Sequence, residues 1–542
     1  MADIPPPAPA PLRALTEDIL AQEAVLREGG GQAGRERQKR LGRLTARERI
    51  AALLDSPEQF FELNLWAAYE MYPMVGDVPA AGAVTGIGSV HGKPCMIVAN
   101  DATVKAGAFF PQTCKKLLRA QRIAFECALP TIYLVDSAGV YLPLQDEIFP
   151  DEDDFGRIFR NNAVISAAGV PQLAAIMGNC IAGGAYLPVL CDKLLMTEGS
   201  GLYLAGPSLV KAAIGQVVDP EELGGASMHA AISGTIDFRE PTDEACLDRI
   251  RSLIELLPGE KWNESLDGDL STRPAKDPES VYALVSADGR KEYDTHALLE
   301  TIVDAGSMQE FKADYGQTLI TTYAKIGGIA VGIVANQRQR VQSVKEGLQI
   351  GGVLYAHSAD KAARFVMDCN QTGIPLVFIQ DVFGFMVGRD AEQSGIIRSG
   401  AKLVNAMSNS VVPKITVVVG GSFGAGNYAM CGKAYDPRFI FAWPCARYAV
   451  MGADQASGTL FDIMKKSAER DGKEFDTEDM NRLREIVKKD YEHKTDIRYG
   501  AARGWIDAII APHTTRSVLI TALSLAKRTP PPARYHTGVL QT

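Results

Sequence analysis

The sequence predicts an α/β protein built from two tandem domains that arose by internal duplication. Short apolar runs with strand character alternate with amphipathic helical stretches, which is typical of βαβ units with mostly parallel strands. The apolar runs of the first half recur in the same order in the second half. A proline-led strand also enters a glycine-rich turn once in each half, at 170–186 and at 412–428.

The repeat has a nearly constant spacing. VHGKPCMIVAN at 90–100 matches IGGIAVGIVAN at 326–336, and LPTIYLVD at 129–136 matches IPLVFIQD at 374–381. Solenoid repeats recur every 20–50 residues or so, a much shorter period. Chance likeness between buried strands is the alternative explanation, but several blocks in the same order favour a duplicated domain.

The elements of the first half follow in a regular order. Residues 13–56 are predicted to be helical, and Thr45 followed by Glu48 predicts a capping box. Apolar runs such as CMIVAND, TIYLVD, QLAAIM and KLLMTE predict strands, and the runs QTCKKLLRAQRIAFECA and FGRIFRNNAVISAAG predict the helices between them. In the second half, the charged stretch 456–498 predicts a solvated helix.

The domain boundaries come from composition. Residues 258–280 are polar and rich in turn formers, so they predict a linker between the two copies. We therefore expect four segments: a flexible N-terminal lead, an N-terminal domain, a C-terminal domain and a tail. Their ranges are 1–20, 21–270, 271–530 and 531–542.

Composition excludes several classes of function. The 542 residues carry a net charge of −9, which argues against nucleic-acid binding. No apolar stretch approaches the roughly 20 residues of a membrane span, and the N-terminus has no secretory pattern. Nine scattered cysteines without a CxxC motif indicate reduced thiols in the cytoplasm. The seven histidines do not cluster with them, so no metal site is expected.

The two glycine-rich turns are the candidate site. Glycine lets a ligand oxygen approach the backbone closely, and N–H donors fixed where charge develops can stabilise a transition state by several kcal/mol. Tight packing between strand and helix is the alternative explanation of either turn alone, but the paired occurrence favours function. The candidate donors are Ala182, Gly183, Gly184, Gly424, Ala425 and Gly426.

Other catalytic patterns are absent from the sequence. It has no GxSxG nucleophile motif, no Walker loop and no complete GxGxxG after a strand. We therefore expect no ATP site, and we expect a substrate or cofactor to supply the base.

The sequence resembles the carboxyltransferase β subunits of biotin-dependent acyl-CoA carboxylases over nearly its whole length, and within them the methylcrotonyl-CoA carboxylase branch. The segments that carry the resemblance are NDATVKAGAFFP (100–111), LVDSAGVYLPLQDEIFPDEDDFGRIF (134–159), LAGPSLVKAAIGQVVDPEELGGASMH (204–229), FGFMVGRDAEQSGI (383–396) and GAGNYAMCGKAYDPRFIFAWPCARYAVMG (424–452).

The resemblance implies two tandem crotonase-like domains of the ClpP/crotonase superfamily, each a ββα superhelix. It also implies a β6 homo-hexamer within an α6β6 complex, with acyl-CoA on the N-terminal domain and carboxybiotin on the C-terminal domain. Because the chain has no biotin-attachment motif and no ATP-grasp signature, biotin carboxylase and the biotin carrier are expected on a separate α subunit. Biotin itself is then the base.

Site residues are carried over by motif. The first turn, Ala182–Gly184, is implied to bind the thioester oxygen, and the second, Gly424–Gly426, the biotin ureido oxygen. The implied substrate and CoA contacts are Lys105, Ala138, Gly139, Tyr186 and Lys211. The implied biotin contacts are Phe383, Gly384, Phe385 and Asn427. Solvated lysines and core aromatics are the alternative explanations.

Several positions depart from the methylcrotonyl pattern. Leu144 replaces a basic residue of that pattern, Asp154 stands where histidine is common, and 341–365 is longer than usual. The second turn continues as Asn427-Tyr428, unlike the short-chain enzymes. The expected substrate is 3-methylcrotonyl-CoA, as in leucine breakdown, with propionyl-CoA, geranyl-CoA or another acyl-CoA as alternatives. Remoter alternatives are a glutaconyl-CoA-type decarboxylase component, a non-catalytic scaffold and a crotonase-type hydratase.

Overall fold

A computed structural model describes residues 11–258, 272–289, 291–343, 347–450, 470, 477–529 and 535–536. The chain divides into two units. One consists of Ala21–Glu264 with Ala501–Gly504, and is called the N unit below. The other consists of Met1–Leu20, Ser265–Gly500 and Trp505–Thr542, and is called the C unit.

Within the described residues, strands and helices alternate through both units. The strands are β1 Phe61–Leu63, β2 Ala83–Val90, β3 Lys93–Asn100, β4 Thr131–Ser137, β5 Gln172–Ile181, β6 Lys193–Thr197, β7 Gly201–Tyr203, β8 Phe238–Glu240, β9 Gln309–Glu310, β10 Leu319–Ile326, β11 Ile329–Asn336, β12 Val341–Ser343, β13 Gly347–Gln349, β14 Val353–Leu354, β15 Leu376–Val382, β16 Gly384–Phe385, β17 Lys414–Phe423, β18 Phe439–Ala442, β19 Arg447–Ala449 and β20 Ala508–Ile509.

The helices surround these strands. They are α1 Pro11–Arg27, α2 Gly31–Arg40, α3 Ala46–Leu53, α4 Pro111–Glu126, α5 Phe155–Ala167, α6 Tyr186–Val189, α7 Pro207–Ile214, α8 Pro220–Gly224, α9 Ala226–Met228, α10 Asp243–Glu255, α11 Val281–Leu284, α12 Thr295–Leu299, α13 Ala356–Thr372, α14 Arg389–Gln393, α15 Ile396–Ser408, α16 Ala425–Ala429, α17 Thr477–Thr495, α18 Ile497–Ala502 and α19 Thr515–Ala526.

Each unit contains an eight-stranded sheet with the same topology. In the N unit the order is β1-β2-β3-β4-β5-β6-β8, with β7 also paired to β5. In the C unit the order is β9-β10-β11-β15-β17-β18-β20, with β19 also paired to β17. Each sheet begins with antiparallel pairs and continues with parallel ones. The predicted fold of two similar α/β domains is confirmed.

The two copies also share individual contacts. Asp55, after α3, accepts hydrogen bonds from the N–H groups of His91 and Gly92 in the β2–β3 turn, and Arg251 of α10 pairs with it at 2.8 Å. Asp304 accepts equivalent bonds from the N–H groups of Gly327 and Gly328 in the β10–β11 turn, and Arg516 of α19 pairs with it at 2.6 Å. This aspartate–arginine lock closes the first hairpin of both sheets.

The parallel strands are buried because helices cover the sheets. In the N unit, residues such as Ile50, Leu53, Ile97 and Leu134 form one apolar core. In the C unit, Phe365 and Phe378 contribute to a matching core. Near-continuous apolar runs such as TIYLV fit strands buried on both faces.

The start of α3 was predicted correctly from its capping residues, whereas the flexible lead predicted for the N-terminus is partly wrong. Thr45 and Glu48 form the expected capping box at the start of α3. The lead predicted for 1–20 is helical from Pro11 onward, because α1 buries Leu12 and Ile19 on one face. Most of the predicted linker (259–271), much of the charged stretch (456–469 and 471–476) and most of the tail lie outside the described residues.

Candidate active site

The two glycine-rich turns occupy the same position in the two sheets. In the N unit, β5 runs into a 3₁₀ turn at Ala182–Ala185 and then into α6. In the C unit, β17 runs through Gly424 into α16. Each turn therefore follows the carboxyl end of a central parallel strand, where α/β proteins commonly place their sites.

A buried aspartate lies beneath each turn. The parallel register shifts between Val135 and Ser137 in the N unit, and between Gln380 and Val382 in the C unit. Asp136 and Asp381 stand at these shifts. Asp136 accepts the Asn179 N–H at 3.3 Å, and Asp381 accepts the Gly421 N–H at 2.7 Å. Both carboxylates thus hold the strand end that leads into a turn.

Glycine precedes each of these N–H groups for a steric reason. A Cβ on Gly178 would lie 2.0 Å from Cγ of Asp136, and a Cβ on Gly420 would lie 2.4 Å from Cγ of Asp381. Real Cβ atoms essentially never come so close. The carboxylate therefore fits against the neighbouring strand only where a side chain is missing.

The arginine that pairs with each aspartate comes from a different element. In the N unit, Arg49 of α3 lies 3.4 Å from Asp136 and also bonds Asp243 at 2.8 Å. Burial raises the pKa of Asp136 above its ordinary value, although Arg49 and Arg43 oppose the rise. In the C unit, Arg338 follows β11 and bonds Asp381 at 2.7 Å.

The structure places two predicted substrate residues, Ala138 and Gly139, beside the first turn, and a third, Lys105, next to a residue that bonds Ala138. A Cβ on Gly139, which has a φ of 87°, would lie 3.1 Å from the Ile181 carbonyl oxygen, next to that turn. The Ala138 N–H bonds the Ala106 carbonyl oxygen at 3.0 Å. Lys105 precedes Ala106 and is exposed, and its Nζ donates to the Val75 carbonyl oxygen at 2.8 Å.

An aromatic row runs beside the first turn. Phe109 packs on Phe155, Phe155 on Phe159 and Phe159 on Tyr186, with ring centroids 4.7–5.9 Å apart. Tyr186 is about half exposed, so the row continues from the core to the surface. The site predicted at Tyr186 therefore borders an apolar wall that the sequence analysis had not assigned.

Lys211 lies in α7, which starts shortly after β7. Its side chain is exposed, and β7 pairs with β5 up to Ile181, directly before the first turn. A Cβ on Gly206, just before α7, would lie 3.8 Å from Ile181 Cγ2. The start of α7 therefore lies beside the first turn.

The second turn presents two N–H groups. Gly424 has a φ of 53°, a conformation that favours glycine, and its own N–H bonds the Ala449 carbonyl oxygen. Within the range 347–450, which the structure describes, the N–H groups of Ala425 and Gly426 have no hydrogen-bond acceptor. Ala425 is exposed and Gly426 is buried, so the Ala425 N–H is the more accessible donor for a ligand.

The predicted biotin contacts divide into exposed and internal residues. Phe383 is 44% exposed and stacks with Phe423 at 6.2 Å. Gly384 has a φ of 128°. Phe385 packs against the core of the C unit, and Asn427 donates to Ser422 Oγ at 2.7 Å. The Phe383 ring is therefore partly accessible to a ligand, whereas the Phe385 and Asn427 side chains support the turn from inside.

Two of the departures from the family pattern, Leu144 and Asp154, lie in the N unit. Leu144 packs on an apolar cluster that includes Val104, Ala108 and Phe110. Asp154 precedes α5, and its carboxylate accepts the Asp151 N–H at 2.9 Å. An apolar side chain thus stands where the family usually has a basic one.

Two further residues of the C-unit site were missed by the sequence analysis. Phe423 precedes the turn and stacks on Phe383, and the Arg338 guanidinium lies 4.4 Å from the centroid of the Phe383 ring. A signal was present for Arg338: the repeat aligns it with Ala102, so it is a charged residue that the second copy alone has.

Among the described residues, no group of three or more His, Cys, Asp or Glu side chains is placed to hold a metal ion. No helix in that part of the chain is long and apolar enough to cross a membrane.

Comparisons with known proteins agree with this geometry. The carboxyl transferase domain family matches residues 37–538. The biotin-dependent 3-methylcrotonyl-coenzyme A carboxylase β1 subunit of Mycobacterium tuberculosis is 44% identical over 520 residues, covering 96% of this chain and 95% of that protein. The mitochondrial methylcrotonoyl-CoA carboxylase β chain of Arabidopsis thaliana is 41% identical over 534 residues, covering 95% and 88%.

The crystal structure of the geranyl-CoA carboxylase β subunit from P. aeruginosa has a TM-score of 0.84 and 31% identity, and covers 100% of this chain and 99% of that one. Fold and turns together define a duplicated α/β protein of the crotonase type with two matched glycine-rich turns. The chain belongs to the carboxyl transferase family, and the predicted family is confirmed.

Proposed function

We propose that this chain is the carboxyltransferase β subunit of a biotin-dependent acyl-CoA carboxylase, acting on 3-methylcrotonyl-CoA in leucine breakdown. The observation that carries the proposal is the pair of turns in matched positions of two sheets, in a chain 44% identical to a 3-methylcrotonyl-CoA carboxylase β subunit. Two turns suit a transfer in which two different oxygens become negative.

The N-terminal domain (21–270) is assigned the acyl-CoA. Backbone donors at Ala182, Gly183 and Gly184 would stabilise the thioester oxygen as a proton leaves the acyl chain. Lys105 and Lys211 would meet phosphate groups of CoA as point charges. Ala138, Gly139 and Tyr186 would border the acyl group.

The C-terminal domain (271–530) is assigned biotin, and its residues fit that group. Within the described range 347–450, the N–H groups of Ala425 and Gly426 have no acceptor and suit a ureido oxygen. The partly exposed ring of Phe383 suits a flat apolar group. Carboxylated biotin would supply the carboxyl group and, after losing it, the base. The chain would orient the ureido oxygen and exclude water around it.

The acyl specificity has two candidates. Identity to the methylcrotonyl enzymes favours 3-methylcrotonyl-CoA. Likeness to the geranyl-CoA carboxylase β subunit over the whole chain, together with Leu144 in an apolar cluster, favours a longer acyl chain such as geranyl as the second candidate.

Assembly and location complete the proposal. The chain would form a β6 hexamer, joined by α subunits that carry biotin carboxylase and the biotin group, in an α6β6 complex. The nine free cysteines, mostly buried, are consistent with a cytoplasmic location, whereas the Arabidopsis relative is mitochondrial.

The test is an assay of the chain with its co-encoded biotin-containing subunit. ATP- and bicarbonate-dependent carboxylation is measured with acetyl-, propionyl-, 3-methylcrotonyl- and geranyl-CoA. We expect the highest kcat/KM for 3-methylcrotonyl-CoA. The highest value for geranyl-CoA would establish the second candidate, and no carboxylation of any acyl-CoA would contradict the proposal.

A further inference from the structure

We propose that Arg338 is a positioning residue for the biotin side of the reaction, setting both the second turn and the ring of Phe383. This inference rests on the function proposed above. It assigns to Arg338 no contact with the reacting atoms, because the side chain is only 3% exposed.

Arg338 is linked to the second turn by hydrogen bonds through Asp381. Its Nε donates to Asp381 Oδ2 at 2.7 Å, and Asp381 Oδ1 accepts the Gly421 N–H at 2.7 Å. Tyr293 also donates to Asp381, at 3.0 Å. The arginine thus fixes the carboxylate that holds β17 three residues before Gly424.

Arg338 also contacts the aromatic ring of Phe383. The Arg338 guanidinium lies 4.4 Å from the Phe383 ring centroid, a distance at which a cation attracts an aromatic face. Its Nη2 donates to the Gly289 carbonyl oxygen at 2.8 Å, so the charged group cannot swing away. Phe383 is 44% exposed and stacks on Phe423 at 6.2 Å, so its ring can still meet a ligand.

Backbone hydrogen bonds through Gly352 also join the segment of Arg338 to that of Phe383. The Gly352 N–H donates to the Gln337 carbonyl oxygen at 2.7 Å, and the Phe383 N–H donates to the Gly352 carbonyl oxygen at 2.8 Å. A Cβ on Gly352 would lie 3.2 Å from both Arg338 Nη1 and Phe383 Cδ2. Arg338, Gly352 and Phe383 therefore pack against one another, and we expect a substitution at Arg338 to displace the Phe383 ring.

The N unit shows that charge pairing alone does not require an arginine here. Its aspartate, Asp136, is paired with Arg49 from α3, and the residue that the repeat aligns with Arg338 is Ala102. Arg49 binds Asp243 and the Met177 carbonyl oxygen. In the C unit, Arg338 pairs with the equivalent carboxylate, that of Asp381, and also contacts the partly exposed ring of Phe383.

The experiment compares Arg338→Lys with Arg49→Lys in the full chain bound to its α subunit. The KM values for free biotin and for acyl-CoA are measured in the reverse transfer from the carboxylated acyl-CoA to biotin. Affinity for free biotin is measured by calorimetry, and unfolding by thermal scans. Lysine keeps the charge but loses the planar guanidinium that stacks on the ring.

We expect Arg338→Lys to raise the KM and Kd for biotin by about tenfold, the scale of one lost cation–π contact and its positioning effect, while the KM for acyl-CoA stays within about twofold. Arg49→Lys should lower the unfolding temperature and leave the biotin constants unchanged. Equal changes in both KM values, or an unchanged biotin KM in folded Arg338→Lys, would overturn the inference.

Phe383→Leu keeps the test decisive if Arg338→Lys does not fold, because it removes the ring and leaves the Arg338–Asp381 pair. It should raise the biotin KM by a similar factor, and an unchanged value would overturn the inference. If the wild-type chain transfers no carboxyl group, the proposed function fails instead, and the calorimetric Kd for biotin still decides the role of Arg338.

Discussion

In the N unit, Arg47 of α3 bonds Glu62 of β1 at 2.7 Å. The C unit has His296 of α12 at the matching place, 2.8 Å from Glu310 of β9. The two hairpin locks, in contrast, use the same residue types in both units. Duplication therefore preserved the contacts that close each sheet, whereas the charged pair between the preceding helix and the edge strand was free to change.

A buried lysine follows the same pattern. Lys116 of α4 donates to the Ala80 carbonyl oxygen at 3.0 Å, and burial lowers its pKa to about 7. Its counterpart Lys361 of α13 lies 3.9 Å from Glu310, and burial lowers its pKa to about 8. Both helices keep the lysine, but each unit surrounds it with different neighbours.

The largest effect is expected where the copies are most alike. Gly178→Ala and Gly420→Ala each place a Cβ about 2 Å from a buried aspartate Cγ. Backbone and carboxylate must move apart, so each variant should lose about 3 kcal/mol or more in the free energy of unfolding, the upper end for overpacking. Urea unfolding measures this loss. A loss of stability in only one of the two variants would show that Asp136 and Asp381 contribute differently to the fold.

A smaller, unequal effect is expected at the turns. A Cβ on Gly426 would lie 2.6 Å from Val382 Cγ2, whereas a Cβ on Gly184 would meet nothing nearer than Phe155 Cζ at 3.9 Å. Gly426→Ala should therefore cost about 1–3 kcal/mol in the free energy of unfolding, and Gly184→Ala less than about 0.5 kcal/mol. The two variants are compared in one urea series, and equal losses would refute the packing difference.

The smallest effect is expected at His296. The hydrogen bond to Glu310, partly opposed by burial, raises the pKa of His296 from 6.5 to about 9. Its contribution to stability is thus complete below pH 6.5 and is lost as the pH rises through 9. Because His296 is partly exposed, the loss should be about 1 kcal/mol or less.

His296→Arg, which copies Arg47, is the matched control for that pH dependence. Arginine stays charged, so the unfolding temperature of the wild type should fall relative to His296→Arg between pH 6.5 and 9.5. Parallel pH profiles of the two proteins would contradict the account of Glu310.

The sequence could predict what is local or repeated. Thr45 and Glu48 lie three residues apart and form a capping box, and the repeat placed both turns after matched strands. Arg338 and Asp381 are 43 residues apart; Asp381 matches Asp136, but the first copy has Ala102 where the second has Arg338. Such a long-range pair follows from the packing of β11 against β15, which no local pattern specifies.

The aromatic residues show the same limit. Phe383 and Phe385 are alternate residues of one motif, and the sequence assigned both to biotin. In the structure Phe385 pairs with Leu354 in a short parallel ladder and packs toward α15, where a Cβ on Gly400 would lie 3.1 Å from its ring. Which of the two faces solvent depends on α15, which lies elsewhere in the sequence.

We propose that the first turn binds acyl-CoA and the second binds biotin. This is tested by measuring the affinity of folded Gly183→Val and Ala425→Val for 3-methylcrotonyl-CoA, together with their rates of carboxyl transfer. We predict that both variants lose transfer, that Gly183→Val also binds acyl-CoA more weakly, and that Ala425→Val binds it normally. Weakened acyl-CoA binding in Ala425→Val, with normal binding in Gly183→Val, would show that the two turns have the opposite roles.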